Sequence, residues 1–154
     1  MPRTRFGWEK LETLLAEPNS AGMIADWWEE MHPDKAAAPL DPAWDDMLAM
    51  EKVGRFKCWT VREDKTLAGF VCFHVFPHLH HRSTLFAIDG GYYLSPEFRD
   101  YSRLGYRMFK TVRTALKAEG VRIIVWHDNL KRPLMPFFLA LGATPRSIMY
   151  WDVI

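Results

Sequence analysis

Apolar residues recur along this chain with two periods, and the change between them falls near residue 54. Up to that point the period is helical. WEKLETLLAE (8–17) places Trp8, Leu11, Leu14 and Leu15 on one face and predicts a short helix. Asn19-Ser20 offers a cap for a second helix over 21–32, carried by Met23, Ile24, Trp27, Trp28 and Met31. Pro33 and Pro39 bound a loop. A third helix is predicted over 41–54, with Asp41 at the cap, Pro42 at the first helical position and Gly54 past the end.

The period then shortens. RFKCWTVRED (55–64) alternates as a strand does, Asp64 to Thr66 read as a hairpin turn, and TLAGFVCFHVF (66–76) is the next strand. Pro77 should end it, leaving residues 78–83 as a loop. TLFAIDGGYYL (84–94) is a third strand, whose Gly90-Gly91 pair signals a bulge or a close backbone approach. A long helix follows, to about Glu119, with Leu104, Met108, Val112, Ala115 and Leu116 as its apolar stripe. Its Arg103, Arg107, Lys110, Arg113 and Lys117 lie mostly off that stripe. VRIIVWH (121–127) reads as a buried strand, MPFFLALG (135–142) as a short helix, and PRSIMYWDVI (145–154) as a last strand. The order predicts one α/β domain over 1–154 with a mixed sheet. Helices fill 1–54; an antiparallel meander and then a parallel β-α-β crossover fill 55–154.

Composition narrows the class. A length of 154 residues suits one core, and 14% aromatic residues argue against disorder. No apolar run reaches membrane-span length, and MPRTRFGWEK lacks the apolar centre of a secretion signal. The two cysteines, Cys58 and Cys72, form no CxxC pair and are expected reduced and buried. A cytoplasmic compartment follows as the default. Residues 1–50 carry a net charge of −6 and residues 51–154 one of +7. Either the basic half attracts a phosphate-bearing ligand, or the two halves neutralise each other. Nucleic acid ranks last as a partner, because no recognition motif is present and the aromatics read as core.

SPEFRDYSRLGYRMFK (95–110) is the segment where chemistry concentrates. A helix start has unpaired N–H groups and partial positive charge, and phosphate satisfies both. Only Gly105 supplies small-residue room. Spacing alone therefore leaves two readings, a pyrophosphate cradle or a solvated basic helix start capped by Ser102.

From residue 67 to 154 the chain resembles the GNAT (Gcn5-related) N-acyltransferase family. YYLSPEFRDYSRLGYRMFK resembles that family's acetyl-CoA loop, and ALGATPRSIMYWDVI its Leu-Gly-Phe turn and final strand. Trp28-Glu29, His78-Leu79-His80 and Gly105-Tyr106-Arg107 are similar to features of GNAT-like proteins encoded by bacteriophages. One departure is that the usual glycine positions counted from Arg99 hold Ser102 and Leu104. With one residue inserted, Arg103 and Gly105 take those places, and Arg103 and Arg107 are placed to hold phosphate by side chain.

The resemblance implies acetyl-CoA as co-substrate and an amine of a small molecule or protein as acceptor. Transfer would be direct, through a tetrahedral intermediate. It implies that Tyr92, Tyr93 and Leu94 pair by backbone with the pantetheine arm. Arg99, Ser102, Arg103, Leu104, Gly105, Tyr106 and Arg107 would surround the pyrophosphate. The family's usual acid, a tyrosine four residues before the closing glycine, is Phe138 here, leaving Tyr92, Tyr106 or Tyr150 as substitutes. Candidate bases are Asp89, His127 and His81. Asp89 equally suits a bulge residue bonded locally, and His127 a packed structural histidine. His74, His78, His80 and His81 crowd eight residues. However, Pro77 blocks a helix and neighbouring strand residues point apart, so no metal is expected. The competing reading keeps the GNAT fold as a binding module for a protein of a phage host, and leaves room for a homodimer.

Overall fold

The computed structural model describes residues 3–32, 34–99 and 103–154. A five-stranded sheet has the order β1-β2-β3-β4-β5. Its strands are β1 (Thr4–Glu9), β2 (Phe56–Glu63), β3 (Thr66–His78), β4 (His81–Leu94) and β5 (Val121–Val125). The first four run antiparallel to their neighbours, and β5 is parallel to β4. Helices α1 (Leu11–Leu15), α2 (Ser20–Met31) and α3 (Trp44–Lys52) precede β2. Helix α4 (Leu104–Ala118) joins β4 to β5, and α5 (Met135–Ala140) follows. This is the predicted mixed sheet with its parallel crossover.

Strand alternation sends side chains to two cores. Val61, Val71, Phe73 and Ala87 pack with Leu104, Met108, Phe109, Val112 and Leu116 of α4 and with Phe138 of α5. Each large side chain buried there stabilises the fold by about 1.5–3 kcal/mol. Phe56, Cys58, Leu67 and Tyr93 face the other way, against Leu11, Leu14 and Met23 of α1 and α2. Beside that second core Arg62 is nearly buried and bonds Glu9 and Glu17. Its guanidinium holds the Glu9 carboxyl below the usual range, against a smaller opposing push from burial.

The structure corrects several expectations. Residues 8–17 are not one helix. Trp8 belongs to β1, pairs with Trp59 and packs edge-on against its ring at 4.9 Å. The aromatic spacing fitted either period, and a partner strand fifty residues away decided it. Neither Asn19 nor Asp41 caps through its side chain, and α3 starts from Ala43. Pro77 does not end β3, which continues to His78 and turns at once into β4. The β2–β3 register stops at Phe56↔His74, so β3 is an edge by Pro77, and a register shift follows it. Proline is tolerated in that setting. Strand β5 is an edge strand rather than a buried one, with Ile123 43% exposed. Residues 143–154 form no strand, and Ile148, Met149, Tyr150, Trp151, Val153 and Ile154 are exposed.

Among the described residues, no helix is long and apolar enough to cross a membrane.

Candidate active site

The site begins where the sheet splits. β4 pairs with β5 only from Leu85 to Ile88, opposite Val121 to Val125. It then continues to Leu94 with β3 as its sole partner among the described residues. Gly90 is the extra residue at this point, because Cys72 pairs with Gly91 while Phe73 pairs with Asp89. A bulge sharpens local twist and turns a strand away from its neighbour. The Trp27 indole lies against Gly91, where an added Cβ would come within 2.6 Å of it and the φ is +135°, while Gly90 faces the His74 ring.

Asp89 and His127 meet at the apex of the split. The backbone N–H of His127 donates to Asp89 Oδ2 at 2.5 Å, and its ring Nδ1 lies 2.9 Å from Asp89 Oδ1. The carboxylate is almost fully buried, whereas the imidazole is 41% exposed. An ionised carboxylate only accepts, so Nδ1 carries the proton and, in the neutral ring, the lone pair is left on Nε2. The hydrogen bond to Asp89 raises the His127 pKa above its ordinary value, with burial opposing it. The Tyr92 hydroxyl donates to the His127 carbonyl at 2.9 Å, fixing the same residue from across the split. Burial is the main influence raising the Tyr92 pKa, so it holds its proton firmly.

Sequence reasoning named Asp89 and His127 separately, and the structure joins them. His81 stays apart, on the exposed β3–β4 turn beside His78. It lies eight residue steps from Asp89 along β4, about 26 Å at strand rise. Among the described residues no group of three ligand-type side chains could hold a metal ion.

The expected cofactor residues divide. Beyond Ile88, β4 has no partner on its β5 side among the described residues, so Tyr92, Tyr93 and Leu94 lie along an unpaired edge. The two tyrosine rings are buried on opposite faces, Tyr92 against Phe109 and Phe138 and Tyr93 in the core with α1 and α2. Leu104 is fully buried and offers backbone alone. Gly105 opens the first turn of α4, where an added Cβ would meet only ordinary contacts, Leu94 at 3.7 Å and Phe137 at 3.9 Å. Packing within the protein therefore does not demand a glycine. Arg103 precedes the helix with φ 56°, a conformation uncommon for a side chain with a Cβ. Arg107 is exposed and lies over the Phe6 ring at 5.2 Å. Tyr106 packs against Phe137. Ser102 lies outside the described residues.

Arg99 departs from the expected role. Its Nε donates to the Leu94 carbonyl at 2.7 Å and its Nη2 to both oxygens of Glu30 at 2.8 and 2.9 Å. Glu30 also accepts from Arg132 at 3.0 Å, and Asn129 donates to the Met31 carbonyl at 2.8 Å. The end of α2 thus ties the tip of β4 to the loop after β5, spanning the split. Nothing in the local sequence marked Glu30, since both its partners are remote in the chain. Phe138 is buried among Tyr92, Phe109 and Trp126, and Tyr150 is exposed on the tail.

A model of the acetyltransferase (GNAT) family matches residues 21–143. A search of curated protein sequences found no match. Among solved structures, the chain is similar to a GCN5-related N-acetyltransferase from Ralstonia eutropha JMP134, with a TM-score of 0.74 and 17% identity over 98% of this chain and 99% of that one. It is similar to glucosamine-6-phosphate N-acetyltransferase from Arabidopsis thaliana, with a TM-score of 0.69 and 12% identity over 96% and 97%. An aminoglycoside N-acetyltransferase in complex with CoA matches with a TM-score of 0.68 and 15% identity over 99% and 96%.

Proposed function

Because the chain belongs to the acetyltransferase (GNAT) family, we propose that it transfers the acetyl group of acetyl-CoA to an amine of a small molecule or protein. The observation that carries this reading is the Asp89–His127 pair at the apex of the split. The pantetheine arm would lie along the unpaired edge of Tyr92 to Leu94, and the pyrophosphate at the start of α4. Gly105, Arg103 and Arg107 suit that end by space and by charge.

His127 Nε2 removes the proton from the attacking amine. The amine nitrogen then bonds to the thioester carbon, the C–S bond of the tetrahedral intermediate breaks, and the thiolate leaves. An N–H of the unpaired β4 edge stabilises the oxyanion. Phe138 gives no acid, Tyr92 keeps its proton on the His127 carbonyl, Tyr106 packs against Phe137 in the first turn of α4, and Tyr150 is on the exposed tail. The proton taken by His127 therefore returns to sulfur or to solvent. Holding the two reactants together supplies much of the rate in its own right. Relatives named for aminoglycosides and for glucosamine 6-phosphate make small amines the first acceptors to screen.

The test is calorimetric titration with acetyl-CoA, beside Arg103→Ala and Gly105→Glu. Micromolar binding lost in both variants, followed by amine acetylation lost in His127→Gln, is the expected result. No binding to the unaltered protein refutes the reading and returns the fold to the role of a binding module.

A further inference from the structure

A second feature lies on the opposite face of the sheet. Helices α1, α2 and α3 leave a pocket of about 120 Å³ over β2 and β3, lined by Met23, Trp27, Trp44, Phe56 and Phe70. Both cysteines of the chain also line it. Cys58 and Cys72 are directly opposed partners on β2 and β3, and their Sγ atoms are 2.9 Å apart. Opposed antiparallel residues have Cα atoms about 4.5–5.5 Å apart, within the span of about 4.4–6.8 Å that a disulfide needs. Both thiols are free, Cys58 fully buried and Cys72 partly so. We propose that Cys58 and Cys72 are a redox-active dithiol on the floor of this pocket, converted by a hydroperoxide into a cross-strand disulfide.

The pocket sets the order of events. It has room for a small oxidant, since one water takes about 30 Å³. Cys72 is the more accessible of the two residues. The thiol of Cys58 is pushed up by its hydrogen bond with Cys72 and by burial, so it is the poorer first nucleophile. The thiolate of Cys72 attacks one peroxide oxygen and the O–O bond breaks. The other oxygen leaves as water, taking the thiol proton, and a sulfenic acid remains. Cys58 sulfur then attacks Cys72 sulfur, the S–O bond breaks, and a second water carries off the Cys58 proton. Hydrogen peroxide is reduced and two thiols are oxidised. A small thiol reverses the change by exchange.

The position gives the oxidation a consequence. The partner of Cys72 on its other side is Gly91 of the bulge, and His74 and Gly90 line the same pocket. The cross-link would stiffen the strand that backs Asp89.

The experiment exposes the reduced full-length protein to hydrogen peroxide, blocks remaining thiols with a maleimide and measures intact mass and non-reduced peptides. The expected result is a monomer lighter by two hydrogen atoms, without maleimide. It should contain one peptide pair joined at Cys58 and Cys72, lost on adding dithiothreitol, and its thermal midpoint should rise. Cys58→Ala should trap oxygen on Cys72 instead. The unaltered protein decides the matter even if that variant folds poorly. Oxygen adducts without a cross-link, disulfide-linked dimers, or full maleimide labelling would each overturn the proposal.

Discussion

Replacing Asp89 by Asn tests the centre of the site, because it removes a charge and one acceptor with almost no change in volume. In the unaltered protein both oxygens accept from His127, one from its backbone N–H and one from its ring. An amide has one acceptor and one donor end. Whichever way it turns, one N–H of His127 faces another N–H, or the ring changes tautomer and turns Nε2 into a donor. Losing an oriented general base costs about 10²–10⁴-fold in rate. The pH profile separates this from a packing defect. Asp89 raises the His127 pKa, so the limb on which kcat/KM climbs with pH should lie above the ordinary histidine value of about 6.5. In Asp89→Asn that limb should move down while the plateau falls. Stability carries the same sign. A raised folded pKa gives a contribution fully present below the unfolded value and lost as pH rises through the folded one. The exposed ring is screened by solvent, which keeps this pH-dependent part below about 1 kcal/mol. The unsatisfied buried group adds about 1–3 kcal/mol at every pH. Denaturant titrations at pH 5.5 and 9 should therefore show the wider gap between the two proteins at pH 5.5. An unshifted limb and an unchanged rate in Asp89→Asn would refute the assignment of His127 as base.

Gly105→Ala should leave the thermal midpoint nearly unchanged, since its Cβ meets only ordinary contacts, yet raise KM for acetyl-CoA; an unchanged KM would move the phosphate site elsewhere. Gly91→Ala should behave oppositely and destabilise the fold by about 1–3 kcal/mol in urea, from the Trp27 clash and the φ of +135°. Glu30→Gln should loosen the tie between Arg99 and Arg132 and change KM for acetyl-CoA more than kcat, which initial-rate kinetics will show. Arg62→Ala should cost about 3 kcal/mol, as broken buried ion pairs do. In the unaltered protein the lowered Glu9 pKa gives stability present above its unfolded value and lost as pH falls through the folded one, so acid unfolding should come earlier without Glu9.

Local signals carried part of this fold well and part badly. The glycines, the α4 stripe and the alternation of β2 to β4 were readable because each depends on neighbours within a few residues. Strand β1 was not, because Trp8, Leu11 and Leu14 fit a helical face and only pairing with Trp59 makes Trp8 a strand residue. The tail shows the reverse error. Its apolar run Ile148 to Trp151 and its resemblance to the family's final strand suited a strand, but no described strand pairs with it. The site divided in the same way. Asp89 was marked by the adjacent bulge and His127 by the end of a strand, but their contact spans thirty-eight residues. Arg99 fitted the phosphate motif, and the ligand it found was Glu30, sixty-nine residues away.

The loss of Arg99 to Glu30 fits with the eroded glycine turn. A loop that binds phosphate mainly through backbone N–H groups needs glycines, whereas one that uses side chains needs free cations. Arg99 is committed to holding Leu94 and α2, so among the described residues of the corner the cations left for phosphate are Arg103 and Arg107. Arg103 is held at φ 56° at the helix start. A glycine there would relieve the backbone, and keeping arginine costs about 1 kcal/mol or more. Phosphate binding by the guanidinium would offset that cost, whereas a purely solvated helix start would not. Arg103→Gly therefore separates the two readings of the corner. It should raise the thermal midpoint in either case, and only a phosphate site would weaken acetyl-CoA binding in the same variant.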